Sequence, residues 1–318
     1  MGPDGSIFVK EQEQLLKFDR AGKFVRNFFR KGQGPGEVQY ISGFLPIERG
    51  LIVHGIAPGK LIWYDEDGVL TREIPLQIPQ MMNTFLGSAK DGLAFMSMVS
   101  PFSSPKGGSP AVVEVAYNFY IWKEGEAEEE KIGSFPVDMY VIQSNLGRGG
   151  GILPVGQMIA VLTGNGRLVL SHTQEYLIKI FDFETKAVIR TFRRSYERNK
   201  FEPPKKGGVI INGQAYTHAP RKYASDIEAL FAVEGRLWVA TSKRDKDGNP
   251  SIDVFDFDGR YLDRFYLRLT LGEAPFALYD RDYVIRGGFL YRLERKEDDT
   301  SSVVKYEIKD PGAPGRGK

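Results

Sequence analysis

The sequence has no cysteine, which excludes disulfides, zinc ribbons and thiol nucleophiles. That absence leaves the compartment open, because a chain of 318 residues can bury a core that needs no disulfide staple. Histidine is scarce, with three in the chain, so any imidazole metal site has few ligands to draw on. No apolar run reaches the roughly 18 residues of a membrane span. Neither sign of charge dominates: a net charge of +2 is too near balance to point to nucleic acid or a membrane surface.

What the sequence does have is aromatic residues and glycine. Tyrosine occurs 15 times, phenylalanine 21 times and glycine 36 times, a bias towards strands punctuated by turns. Hydrophobic content of 42% with 26% charged residues is that of a globular chain, not a disordered one.

A repeat emerges from the turns. A β-rich run ends in an aromatic residue, usually followed by an acid and a tight turn. The marker aromatics are Phe18, Tyr64, Trp122, Phe181, Phe255 and Tyr306, spaced by 46, 58, 59, 74 and 51 residues. Upstream of each lies a second strand opened by glycine, at Gly5, Gly50, Gly92, Gly166, Gly235 and Gly288. Asp-Gly and Asn-Gly pairs at several of these entries mark hairpins. After most markers a further strand follows, as in KFVRNFF from Lys23 and AVIRTF from Ala187. Four short antiparallel strands per unit, six times over, predict an all-β fold: a six-bladed β-propeller. A β-solenoid has shorter repeats without paired hairpin turns.

The stretch from Asp4 to Glu37, with DGSIFV, KFDRAGKFVRNF and the motif Gly32-Gln33-Gly34-Pro35-Gly36-Glu37, resembles the bacterial six-bladed propellers related to NHL-repeat and TolB-like proteins. The segment from Ser171 to Arg198 is similar to members of the same group. The resemblance implies a six-bladed ring in an exported or lipid-anchored bacterial protein, and no particular activity. The expected organisation is one propeller over residues 1–310 and a Pro/Gly-rich tail over 311–318. The first unit opens on its Gly-led strand and the last ends after its marker strand. Both terminal blades are therefore expected to be one strand short, as in an N-terminally shortened form of a longer extracytoplasmic protein whose signal is not present here.

Connections between blade strands fall on two faces. The hairpins before the Gly-led strands and after the markers are tight and share one face. The length variation lies on the other, in Ser100–Ala111, Pro136–Val155, Ser195–Ser225 and Ser242–Ser251. Long loops on a rigid scaffold carry function, so this face is the predicted site. The candidate binding residues are Tyr216, His218, Arg221 and Tyr223 in the longest connection, with His54, His172 and Arg148 near the channel mouth. Aromatic and arginine side chains anchor interfaces because they bury a large area and keep a polar handle.

Some six-bladed propellers are zinc lyases or calcium lactonases. Here His54, His172 and His218 show neither an HxxxH nor an HExxH spacing, and the matching positions of other units offer Lys10, Ser97 and Ala240 or Thr241. Asp245–Asn249 has the start of a calcium loop without the distal glutamate, and suffices as a hairpin turn. Gly32–Glu37 lacks the Lys-Ser/Thr of a P-loop and reads as a tight crossing between blades, with an anion cradle as the alternative. Arg190, Arg193, Arg194, Arg198, Lys200, Lys205 and Lys206, interleaved with Phe192, Tyr196 and Phe201, suit carboxylate-bearing peptides or acidic glycans; otherwise they are a solvated strand edge with protective charges.

The leading reading is a non-enzymatic recognition or scaffold propeller with no cofactor, binding a protein, peptide or glycan on the long-loop face. Nucleic acid and a membrane span are not expected. The alternative is a metal-assisted hydrolase or lyase, with one calcium or zinc in the channel activating water.

Overall fold

The computed structural model describes residues 1–11, 13–78, 83–99, 110–143, 150–164, 166–203, 208–267, 283–295 and 300–308. The protein is an all-β, six-bladed propeller whose named strands pair antiparallel within each blade. The first blade holds β1 (Ile7–Glu11), β2 (Gln14–Phe18) and β3 (Phe24–Asn27). The second holds β4 (Tyr40–Ile47), β5 (Gly50–Ile56), β6 (Lys60–Tyr64) and β7 (Leu70–Pro75). The third holds β8 (Thr84–Ala89), β9 (Gly92–Met98), β10 (Ala111–Lys123), β11 (Glu130–Gln143) and β12 (Gly150–Pro154). The fourth holds β13 (Ile159–Leu162), β14 (Arg167–Ser171), β15 (Leu177–Asp182) and β16 (Ala187–Arg193). A separate hairpin, β17 (Val209–Ile211) and β18 (Gln214–Tyr216), precedes the fifth blade. That blade holds β19 (Ile227–Val233), β20 (Arg236–Arg244), β21 (Pro250–Asp256) and β22 (Tyr261–Tyr266). The sixth holds β23 (Tyr283–Arg286), β24 (Phe289–Arg295) and β25 (Ser301–Glu307), so both terminal sheets have three strands among the described residues.

The core is divided into seams between blades. Along β5, Leu51 and Val53 join Leu15 and Phe28 of the first blade. Ile52, between them, points the other way and joins Phe95 and Trp122 of the third. Because side chains alternate across a strand, a middle strand with a blade on each side is apolar at every position. That is why GLIV and GLAFM are continuous runs in the sequence. The outer strands β16 and β22 are mostly exposed. The ring closes where Arg286 donates to the carbonyls of Met1 and Gly2, each at 3.2 Å, and Ser301 donates to Glu11 at 2.9 Å.

The marker repeat has a local cause. At Phe18, Tyr64, Phe181 and Phe255 the register against the outer strand slips just before the aromatic residue. The acid that follows caps the turn: Asp19 accepts from the N–H of Ala21 and Lys23, and Asp256 from those of Asp258 and Arg260.

The motif Gly32–Glu37 is the crossing from the first blade to the second. Gly34 N–H donates to the Glu37 carboxylate at 3.0 Å and Gly36 N–H to Glu73 at 2.7 Å. Tyr64 and Lys60 donate to the carbonyls of Gly36 and Gly34, at 2.5 and 2.8 Å. The N–H groups an external anion would need are thus taken by the protein's own carboxylates.

Three expected connections differ in the structure. Pro136–Val155 is mostly strand, because β11 continues to Gln143 and β12 pairs back onto it from Met139 to Gln143. Pro136 is tolerated since it pairs with Ala116 on one side, beyond the reach of β12 on the other. Ser242–Ser251 shortens to the turn Asp245–Asn249, as β20 runs to Arg244 and β21 begins at Pro250. The Asp245 carboxylate there accepts from the N–H groups of Asp247 and Asn249 and from the Asn249 amide, as in a hairpin turn. Ser195–Ser225 carries the β17–β18 hairpin, whose Ile211, Val209 and Tyr216 pack on Ile142 and Leu153 of the extended third blade. Most of Ser100–Ala111 and the 311–318 tail lie outside the described residues.

Candidate functional site

The longest connection does not lie flat. After β16 the chain runs through Tyr196–Glu202 and returns through Arg221–Asp226, the two arms meeting at a bridge between Lys200 and Tyr223. Phe201 N–H donates to Lys222 O at 3.1 Å and Ala224 N–H to Asn199 O at 3.0 Å. These arms, the turn around Thr173, residues 154–157 and the end of β20 enclose a cleft of about 680 Å³ between the fourth and fifth blades. All of them belong to the face that carries the blade-to-blade crossings.

Two buried anchors hold its floor. Asp226 accepts from Arg198 Nε at 3.0 Å and from Tyr176 N–H at 3.1 Å. Burial raises its pKa, against the pull of Arg198. Thr173, at φ 64°, is a β-branched residue in the left-handed region. Its carbonyl accepts from the N–H of Asp226 and Ile227 at 2.9 and 3.2 Å, and its hydroxyl from Gln157 N–H at 2.9 Å. Strain of this kind persists where the surroundings over-determine it, and it clusters at ligand sites.

The walls are charged and carry one aromatic platform. Arg221 lies 3.9 Å from the centroid of the Phe201 ring, and the His218 ring lies 5.2 Å from it. Facing them, Arg244 pairs with Glu228 at 2.6 Å, and burial pushes the Glu228 carboxyl up despite that partner. Tyr196 and Ser242 share a hydroxyl hydrogen bond at 3.0 Å, and Asn199 donates to Ser242 O at 2.8 Å. Among the described residues no three His, Asp or Glu side chains converge as a metal would require.

The predicted site residues separate into three groups. Arg221 lines the cleft; His218 reaches it through Phe201, and Tyr223 supports it from behind, under the Arg198 guanidinium at 4.7 Å. His172 neighbours Thr173, its carbonyl accepting from Gln174 N–H at 2.8 Å. Tyr216 belongs to the hairpin, against Tyr140 at 6.4 Å, and does not line the cleft. Arg148 lies outside the described residues. His54 is corrected outright: it is fully buried between the second and third blades, its ring 5.3 Å from Phe95 and 6.1 Å from Phe85. Its strand partner is Gly43, which has no side chain to hold the ring at the surface. Neither ring nitrogen has a hydrogen-bond partner among the described residues, and burial lowers its pKa to about 4.

Thr173, Glu228 and Arg244 were not singled out by the sequence. Phe201 was, as an aromatic residue within the basic stretch, and its position between Lys200 and Glu202 was the available signal.

The profile of a family described as a six-bladed beta-propeller, DUF5128, matches residues 3–131. A candidate exported protein of Bacteroides fragilis is similar at 14% identity and TM-score 0.40, over 92% of this chain and 80% of its own. A Bacteroides caccae protein of unknown function is similar at 11% identity and TM-score 0.41, over 84% and 80%. Kluyveromyces lactis Hsv2 is similar at 10% identity and TM-score 0.39, over 96% of both chains. No curated protein matches the chain.

Proposed function

We propose that the protein is a non-enzymatic recognition propeller that binds a segment of polypeptide in the cleft between its fourth and fifth blades. The observation that carries this reading is the cleft wall, where Phe201 lies against both Arg221 and His218 beside the Arg244–Glu228 pair. A ring stacked between a guanidinium and an imidazole anchors an apolar or aromatic side chain, and charges of both signs suit the mixed termini and side chains of a peptide. The side chains are already cross-bonded to one another, so little ordering is lost on binding. The extracytoplasmic bacterial propellers that the sequence resembles supply the cellular setting of this reading, outside the cytoplasm.

The test is selection of peptides from a displayed library on the protein, followed by affinity measurement on Phe201→Ala. Selected peptides should lose at least tenfold in affinity while the melting temperature holds. Selected peptides that bind the variant unchanged, or a glycan array that gives binders where the peptide library gives none, would overturn the reading.

A further inference from the structure

A second feature lies on the outer rim of the same pair of blades, away from the cleft. Asp253 of β21 is fully buried, and its carboxyl group meets three donors. Tyr176 donates to it at 2.8 Å, Arg194 pairs with it at 2.5 Å, and Arg264 Nε donates at 2.8 Å. One carboxylate therefore holds two guanidinium groups that are themselves about one-third exposed, at 32% and 36%. A buried carboxylate needs such partners, and in satisfying it the arginines are fixed in place.

Both arginines line an open groove of about 510 Å³ between β16 and β22, with Arg193, Phe192, Phe255 and Tyr261. Arg193 is exposed and forms no ion pair among the described residues. Its side chain takes the other face of β16, opposite Leu177, whereas Phe192 and Arg194 face the groove, which therefore holds two guanidinium groups around one shared carboxylate. A further acid of β22, Asp263, stands opposite Val254, which packs towards the sixth blade. The register slip at Val254/Phe255 turns Tyr261 to the arginine side, where its ring sits 5.6 Å from Phe255 and under Arg194 at 6.0 Å.

We propose that this groove is a docking site for an acidic peptide segment. Charge complementarity selects the class of ligand. Each guanidinium carries five N–H donors in a planar fork, and Asp253 takes one nitrogen of each arginine, leaving others at the groove wall for bidentate contact with carboxylates. The ring count selects peptide over acidic glycan. Tyr261 is 49% exposed while Phe255 is 4% exposed, so the groove offers one open aromatic face beside two guanidinium groups. A run of sugar rings needs several stacking platforms, whereas spaced carboxylates with one apolar side chain need only this set.

The experiment is fluorescence anisotropy with labelled hexaglutamate and, separately, labelled hexagalacturonate, at low salt and at 0.5 M salt. Hexaglutamate should bind at low salt, weaken steeply with salt, and lose at least tenfold in affinity on Y261A/R264A. Arg264→Lys is the safeguard, since it keeps a cation beside Asp253 and gives up the planar fork; it should weaken binding with an unchanged melting temperature. Phe201→Ala, in the cleft of the other proposal, should leave hexaglutamate binding as it was, so the two sites stand or fall separately. Unchanged affinity in Arg264→Lys, no hexaglutamate binding at all, or tighter binding of hexagalacturonate would each overturn the proposal.

Discussion

Phe192, at the end of the outer strand of the fourth blade, lies 5.0 Å ring to ring from Phe255, the marker aromatic of the fifth. The same relation recurs around the ring, with Phe28 and Tyr64 at 5.8 Å and Phe135 and Phe181 at 5.8 Å. At these three seams the marker is the point at which a blade grips the outer strand of the one before. Gly259 belongs to the same contact, since a Cβ there would stand 2.6 Å from the Phe192 ring.

Phe255→Ala should cost about 3–5 kcal/mol, the range for a fully buried aromatic residue whose site cannot collapse. Phe192→Ala, half-buried, should cost less. A double-mutant cycle by urea denaturation should return a coupling of about 0.5–1.5 kcal/mol. Additive losses would mean that the rings touch without mutual support.

His54 makes the fold sensitive to acid. Its pKa is about 4 when folded and 6.5 in an unfolded chain. Between those values the unfolded chain binds the proton and the folded one does not. Stability therefore falls as pH drops from about 6.5 to about 4, by on the order of 3 kcal/mol from this group. His54→Leu should flatten that part of the melting-temperature profile while leaving the carboxylate-driven losses below it. An unchanged slope between pH 6.5 and 4 would place the sensitivity elsewhere.

Two glycines test backbone demand separately from space. Gly36 has φ 71° but ordinary contacts, the nearest atom to a Cβ being 3.5 Å away. Gly36→Ala should cost about 1–2 kcal/mol, the penalty of the left-handed region alone. Gly50 has φ 131° and a Cβ there would lie 2.0 Å from the Tyr64 carbonyl oxygen. Gly50→Ala should fail to accumulate as folded protein. Comparable melting temperatures for the two would sink the distinction.

Metal content discriminates the recognition reading from a metal-assisted hydrolase or lyase. Elemental mass spectrometry of dialysed protein should find no stoichiometric calcium or zinc, and chelator should leave the melting temperature in place. About one tightly held ion per chain would move the function to the enzyme class.

The blade repeat was legible because its signals are local. Asp65 and Val69 are joined by a hydrogen bond across four residues, so the turn is written in adjacent letters. The seam contacts were not legible, since nothing near Phe135 in sequence announces Phe181. The length of β11 was half visible: Val137, Met139 and Val141 are buried at alternate positions, but Pro136 and the glycines at 147, 149, 150 and 151 read as loop. His54 misled because a histidine at the end of an apolar strand reads as a mouth residue, while Phe85 and Phe95 close over it from another blade. In the cleft, Arg221 was found and Thr173 was not, because a left-handed threonine has no sequence signature.

The cleft between the fourth and fifth blades is assembled from segments far apart in the chain, Pro154 and Arg244 among them. It has no existence in the unfolded chain, so occupancy and folding are thermodynamically linked. A ligand at a hundred times its dissociation constant would add about 2.7 kcal/mol to the stability of the ring. A rise in melting temperature is therefore a general signal of occupancy, open to any compound whatever its chemistry.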